Sequence, residues 1–151
     1  MRVGDICSRD AVTVREFAGL AAAAQLMRHK HIGYVVVIEP TVGDSAVAPI
    51  GVITDRDIVV GVIAREAGPR TLTVGDVMTR QPVLAAEDGS VSAALHHMCE
   101  IGVRRLPVVD RSGRLTGVIS LDDVLEGPAE QLMDVACSIR RELKVESALR
   151  P

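Results

Sequence analysis

The sequence predicts an α+β fold: two β-α-β-β-α repeats packed sheet to sheet about a pseudo-twofold axis, with a C-terminal helix appended. Three observations predict it. Val3-Gly4-Asp5-Ile6 returns seventy-one residues later as Val74-Gly75-Asp76-Val77, and the same spacing carries Arg9 onto Arg80, Glu16 onto Glu87, Ala23 onto Ala94 and Met27 onto Met98. A strand-to-helix corner is also written twice, as Gly51-Val52-Ile53-Thr54-Asp55-Arg56-Asp57 and as Gly117-Val118-Ile119-Ser120-Leu121-Asp122-Asp123. Within each copy the apolar pattern changes from helical to strand-like in the same order. A unit of roughly 60 residues cannot bury both faces of a small sheet alone, whereas two copies can cover each other.

Each copy opens with a short alternating segment, residues 11–14 and 82–85. An amphipathic helix follows. Its stripe is Leu20, Ala23, Ala24 and Met27 in the first copy and Val91, Ala94, Leu95 and Met98 in the second, the spacing of one buried helix face. Two strand-like runs come next, 34–38 with 50–53 and 106–109 with 115–119. Asp110-Arg111-Ser112-Gly113-Arg114 joins the second pair as a hairpin turn. The first pair carries a longer connection over residues 40–49, whose Gly, Asp, Ser and flanking prolines read as a hairpin loop. A second helix follows each corner. The repeats are expected to span 1–66 and 74–128, joined by a linker over 67–73. Residues 129–146 read as a separate helix with Leu132, Val135, Ala136, Ile139 and Leu143 on one stripe. That stripe would cap the pair's own core or dock on a second copy or a target protein.

Composition narrows the function classes. Hydrophobic residues make up 48% of the 151, enough for a sizeable core, yet Phe17 and Tyr34 are the only aromatics and there is no Trp. Base-stacking platforms need aromatic rings, and a net charge of −3 does not suit a phosphate backbone, so nucleic acid is not expected as a partner. No run approaches 18 apolar residues and no signal-peptide apolar region opens the chain, which reads as soluble and cytoplasmic, with no membrane partner. Cys7, Cys99 and Cys137 are odd in number and widely spaced, the pattern of neither a disulfide framework nor a zinc knuckle. His29, His31, His96 and His97 lack acidic or Cys partners at ligand spacing, so no metal is expected. His29, Lys30 and His31 end the first helix, where cations suit the dipole. No nucleophile–base spacing points to an enzyme.

The corners carry the chemistry. Thr54 and Ser120 fall at helix N-caps, with Asp57 and Asp123 at the third helical position. One reading is structural, a weakened capping box, since aspartate reaches back less easily than Glu or Gln. The other is functional. A helix N-terminus gathers free N–H donors that suit a phosphate, and a carboxylate one turn in can accept from both hydroxyls of a ribose.

The repeat, the Gly-aliphatic-aliphatic-Thr/Ser-x-x-Asp corner, the Val-Gly-Asp-Val-Met-Thr-Arg opening of the second copy and Arg104-Arg105-Leu106-Pro107-Val108-Val109-Asp110 together resemble the CBS domain, named for cystathionine β-synthase, over residues 3–127. The resemblance implies a tandem pair, or Bateman module, binding AMP, ADP, ATP or S-adenosylmethionine as a regulatory ligand between the repeats. It implies no further cofactor, and it implies a homodimer acting on an unidentified target protein. One cleft would combine Thr54 and Asp57 with Val83, Ala85, Val103, Arg104 and Arg105. The other would combine Ser120 and Asp123 with Thr13, Ile32, Gly33 and Tyr34. Arg104 and Arg105 align with Gly33 and Tyr34, and Asp122 stands where the first corner has Arg56. The Asp57 cleft is therefore expected to prefer a phosphorylated nucleotide, and the Asp123 cleft to be weak, empty or suited to a less anionic adenosyl ligand. Val36 stands where the family pattern has Pro107, making the first copy's second strand less typical. The competing class is a ligand-free interaction or scaffold protein with the same fold.

Overall fold

A computed structural model of the chain describes residues 1–40, 43 and 45–126. The helix expected over 129–146 lies outside the described residues, as does Cys137. In chain order the elements are α1 (Val3–Ile6), β1 (Thr13–Arg15), α2 (Leu20–Lys30), β2 (Tyr34–Pro40), β3 (Val47–Thr54) and α3 (Asp55–Ile58), which widens into a π-type turn over Val59–Ile63. A 3₁₀ turn at Val74–Asp76 leads to β4 (Thr79–Arg80), β5 (Ala85–Ala86), α4 (Val91–Ile101), β6 (Arg105–Val109), β7 (Leu115–Ser120) and α5 (Leu121–Glu126). The strands form two sheets, β1-β2-β3-β4 and β5-β6-β7, as the two-copy α+β reading requires.

On the helix stripes Leu20, Ala23 and Met27 of α2 and Val91, Ala94 and Met98 of α4 are buried, while Ala24 and Leu95 are partly buried against the same cores. In each sheet the first strand runs parallel to the second, and the second and third form an antiparallel hairpin. Asp110 closes the β6–β7 turn by accepting from the Ser112 and Arg114 N–H groups on Oδ1 at 2.8 and 3.0 Å. The longer first connection differs from a simple loop. Its two ends continue the ladder, with Ile38, Glu39 and Pro40 facing Pro49, Ala48 and Val47 beyond a bulge at Val37/Ile38. The extra residues lengthen the hairpin.

Two cores result, one per sheet, and each takes residues from the other copy. The first is built on Leu20, Met27, Val35, Val37, Ile53 and Ile58, and is completed by Val74 and Met78. The second is built on Ala85, Val91, Met98, Leu106, Val108 and Ile119, and is completed by Val3 and Cys7. The opening segment of each copy therefore crosses to the other. Main-chain bonds hold both crossings alike: Gly4 N–H donates to Glu87 O at 2.9 Å, and Gly75 N–H to Glu16 O at 2.8 Å. Reciprocal ion pairs flank them, Arg9–Glu87 at 2.6 Å and Arg80–Glu16 at 3.0 Å.

The crossing explains the corner's glycine. Ser8 pairs with Val118, and Thr79 with Val52, each against the strand that leads into a corner. A Cβ at Gly117 would strike the Ser8 carbonyl, and one at Gly51 would lie 2.6 Å from the Met78 sulfur. Only a residue without a side chain lets the crossing backbone approach.

The sheets meet at β3 and β7. Val36 and Pro107, at matching positions of β2 and β6, are both fully buried. Their neighbours Val35, Val37, Leu106 and Val108 fill the helix-side cores, so the alternation of a strand sends Val36 and Pro107 to the opposite face. The departure at Val36 leaves the packing position filled by an apolar side chain.

Candidate functional site

Both corners are complete capping boxes. Thr54 N–H donates to Asp57 Oδ2 at 2.9 Å, and Asp57 N–H returns a bond to Thr54 Oγ1 at 3.1 Å. Ser120 donates to Asp123 Oδ2 from N and from Oγ, each at 2.7 Å, and Asp123 N–H donates to Ser120 Oγ at 3.2 Å. The weakened box expected from aspartate is corrected here, because an N3 aspartate closes the box at full hydrogen-bond length. Thr73 and Asp76 repeat the device at 2.8 and 2.9 Å, and those bonds from the Thr73 backbone and hydroxyl hold the Asp76 carboxyl below its ordinary range. At Asp57 and Asp123 the box falls on Oδ2, so Oδ1 takes no part in it.

A cavity of about 270 Å³ opens beside Asp123, close to the roughly 300 Å³ at which small-ligand pockets begin. The crossing segment of the first copy supplies Ser8, Asp10, Ala11 and Val12. The turn from α2 into β2 supplies His31, Ile32, Gly33 and Tyr34. The second copy supplies Arg105, Val118, Ser120 and Asp123. Five of the six residues expected in this cleft, Ile32, Gly33, Tyr34, Ser120 and Asp123, thus line one cavity. Thr13 lies further along, half-buried in β1 opposite Val36, and Val12 lines the wall in its place. Ser8 and Asp10 were not anticipated, because only the crossing brings them here.

Tyr34 gives this cleft its inner wall. Its hydroxyl is buried with no hydrogen-bond partner among the described residues, and burial pushes the phenol far above its usual range against a smaller opposing pull from Arg105. It is a neutral donor at any physiological pH. The Arg105 guanidinium lies 6.0 Å from the centre of the Tyr34 ring. Tyr34 pairs with Thr54 across the first hairpin and Arg105 with Ser120 across the second, so this contact stands between the two corners.

The residues expected around Asp57 are not gathered in the same way. Asp57 lines a hollow of about 320 Å³ with Arg56, Val60, Gly61, Arg65, Asp76 and Val77. Ala85 is buried in the second core, and Val83 and Val103 are partly open to solvent, 37% and 38% exposed. Arg104 and Arg105 instead approach Asp122, at 3.9 and 3.8 Å. The carboxylate at Asp122 draws the arginines, and Arg105 lines the Asp123 cavity. A larger cavity, about 480 Å³, lies by the N-terminus, and its walls include the ion pairs Arg9–Glu87 and Arg111–Asp88.

Cys7 is a core residue whose thiol burial pushes up, and Cys99 is exposed. Among the described residues no group of three His, Cys, Asp or Glu side chains could hold a metal ion, and no helix is long and apolar enough to cross a membrane.

These features define a class: a pair of intertwined repeats with a hydroxyl–aspartate corner at each junction. The chain belongs to the CBS domain family, whose model matches residues 3–63 and 74–130. It is 33% identical over 124 residues to an uncharacterized protein of Methanopyrus kandleri, covering 82% of this chain and 61% of that one. It is 34% identical over 120 residues to hypoxic response protein 1 of Mycobacterium tuberculosis, covering 80% of each. It matches inosine-5'-monophosphate dehydrogenase of Methanocaldococcus jannaschii at 31% identity, over 83% of this chain but only 23% of the enzyme. Among solved structures, Hypoxic Response Protein I with two coordinated zinc ions superposes with a TM-score of 0.70 at 31% identity, covering 83% of this chain and 98% of that one. A Pyrobaculum aerophilum CBS domain protein complexed with AMP superposes at 0.71 with 22% identity, over 82% and 89% of the two chains. A CBS domain pair in complex with 5'-methylthioadenosine and S-adenosyl-L-methionine superposes at 0.73 with 23% identity, over 87% and 98%. The last two are likenesses of fold.

Proposed function

We propose that this chain is a regulatory sensor of an adenosyl ligand, which it takes in the Asp123 cleft. One observation carries the reading: both repeats build a cavity lined by Tyr34 from the first copy and by Arg105, Ser120 and Asp123 from the second. Asp123 would accept from the ribose hydroxyls, and Ile32, Val12 and Val118 would enclose the adenine. CBS pairs of the same fold hold AMP, 5'-methylthioadenosine and S-adenosyl-L-methionine. Because the cavity walls come from both copies, a ligand would change how the repeats sit, and a partner would read that change. Coupling of about 1–3 kcal/mol is sufficient for such regulation. We assign no catalytic step to these residues. The apolar side chains Val59, Val60 and Ile63, all more than half exposed, suit a homodimer contact.

A second reading has its own support. The capping boxes give Asp57 and Asp123 a structural role that needs no ligand, as a ligand-free scaffold would. Calorimetric titration with AMP, ADP, ATP and S-adenosylmethionine separates the two, run on the wild type and on Asp123→Asn. Asparagine keeps an acceptor for the Ser120 N–H but loses the carboxylate. Binding that weakens tenfold or more in the variant supports the sensor, since charge-assisted bonds contribute about 1.5–3 kcal/mol each. No heat with any of the four leaves the scaffold.

A further inference from the structure

His31 lies where the Asp123 cavity meets the groove between α2 and α3. It ends α2 in the left-handed conformation, φ 56° and ψ 42°, and its N–H closes the helix onto the Arg28 and Met27 carbonyls. The matching residue of the second copy is Gly102, at φ 70° and ψ 36°. Glycine takes this conformation freely, whereas a histidine does so at a cost. The cap uses only the main chain, and the helix dipole, which favours a cation at this end, gives no reason for one at the cavity wall.

The charges of the cavity supply one. Among the described residues Arg105 is the one guanidinium that lines it, with Asp10 and Asp123 in the same lining and with Asp122, shared with Arg104, at 3.8 Å. A lone guanidinium so surrounded gives an anion no net attraction. Among the described residues lining the cavity, His31 is the only other basic side chain. Arg28 and His29 border its outer side, and Asp55 lies across the groove.

We propose that His31 is a ligand-contacting, specificity-determining residue: with Arg105 it makes the Asp123 cleft select adenosine ligands that carry an anionic 5' group over the uncharged nucleoside. This rests on the adenosyl-ligand reading above, and it reverses the charge preference expected from the sequence.

The test is titration of the full chain with AMP and with adenosine, on the wild type, His31→Gly and His31→Asn. Gly reproduces the cap of the second copy and Asn tolerates the left-handed conformation, so both variants should melt at or above the wild-type temperature. The wild type should bind AMP at least tenfold more tightly than adenosine. In both variants AMP should weaken about tenfold while adenosine stays within twofold. Equal wild-type affinity for the two probes, or variants that keep the AMP preference, overturns the role of His31 and leaves the sensor standing. A wild type that binds neither overturns both.

Discussion

At the scale of single residues, the corner motif divides into two physical tasks. The hydroxyl and the aspartate close a capping box, and the glycine clears a path for a foreign backbone. The second task is the less forgiving. A methyl at position 117 would meet the Ser8 carbonyl and approach the Cys7 sulfur at 3.2 Å, and backbone cannot rotate away as a side chain can. Gly117→Ala should therefore destabilise the protein by about 1–3 kcal/mol, the usual cost of overpacking. Urea unfolding of the two proteins checks this, and an unchanged midpoint would mean the crossing segment is free to shift. Gly43, in the extended hairpin, has nothing within 4 Å of an added Cβ and serves as the neutral site for comparison, although its φ of 85° requires Asn rather than Ala there. The hydroxyl–aspartate pairs were legible from their spacing alone. The position of Arg105 was not, because alignment shows which positions match but not which carboxylate a long side chain will reach.

At the scale of elements, the stripes on α2 and α4, the paired strands and the β6–β7 turn all follow from periodicity and turn chemistry, and these were readable. The crossing of α1 and of the Val74–Asp76 turn was not. Those two segments resemble each other, so either could have covered its own core as well as the other's, and local pattern does not distinguish the choices. The core contacts do. Val3 is 1% exposed and belongs to the core under β6 and β7. Val3→Ala should lower stability by about 2 kcal/mol through lost burial and a residual cavity. Hydrogen exchange should rise first in β6 and β7, far away in sequence, rather than in β2 and β3. Faster exchange confined to residues 13–54 would contradict the crossing. Val74→Ala should give the mirror result, loosening β2 and β3.

At the scale of the whole molecule, the repeat of the sequence is not the unit of folding. Residues 1–66 contain α1, α2, α3 and three strands, yet lack Val74 and Met78 for their core and β4 for the edge of β3. Residues 67–126 lack Val3 and Cys7, and the Ser8 main chain that pairs with β7. Each half would also expose the face that carries Val36 or Pro107, both fully buried in the intact chain. Fully burying a valine is worth about 1.5–3 kcal/mol, and a whole domain is stable by only about 5–15 kcal/mol. Removing two core residues, an edge pairing and a sheet interface together therefore exhausts the stability of either half. Fragments 1–66 and 67–126 should each lack a cooperative thermal transition by circular dichroism. Mixed in equal amounts, they should regain one, because each carries the segment the other's core requires. A fragment that melts cooperatively alone would show that its own opening segment can fold back. The same mixture locates the ligand cleft: Ser8 and Val12 come from one fragment and Ser120 and Asp123 from the other, so AMP binding should appear only when both are present.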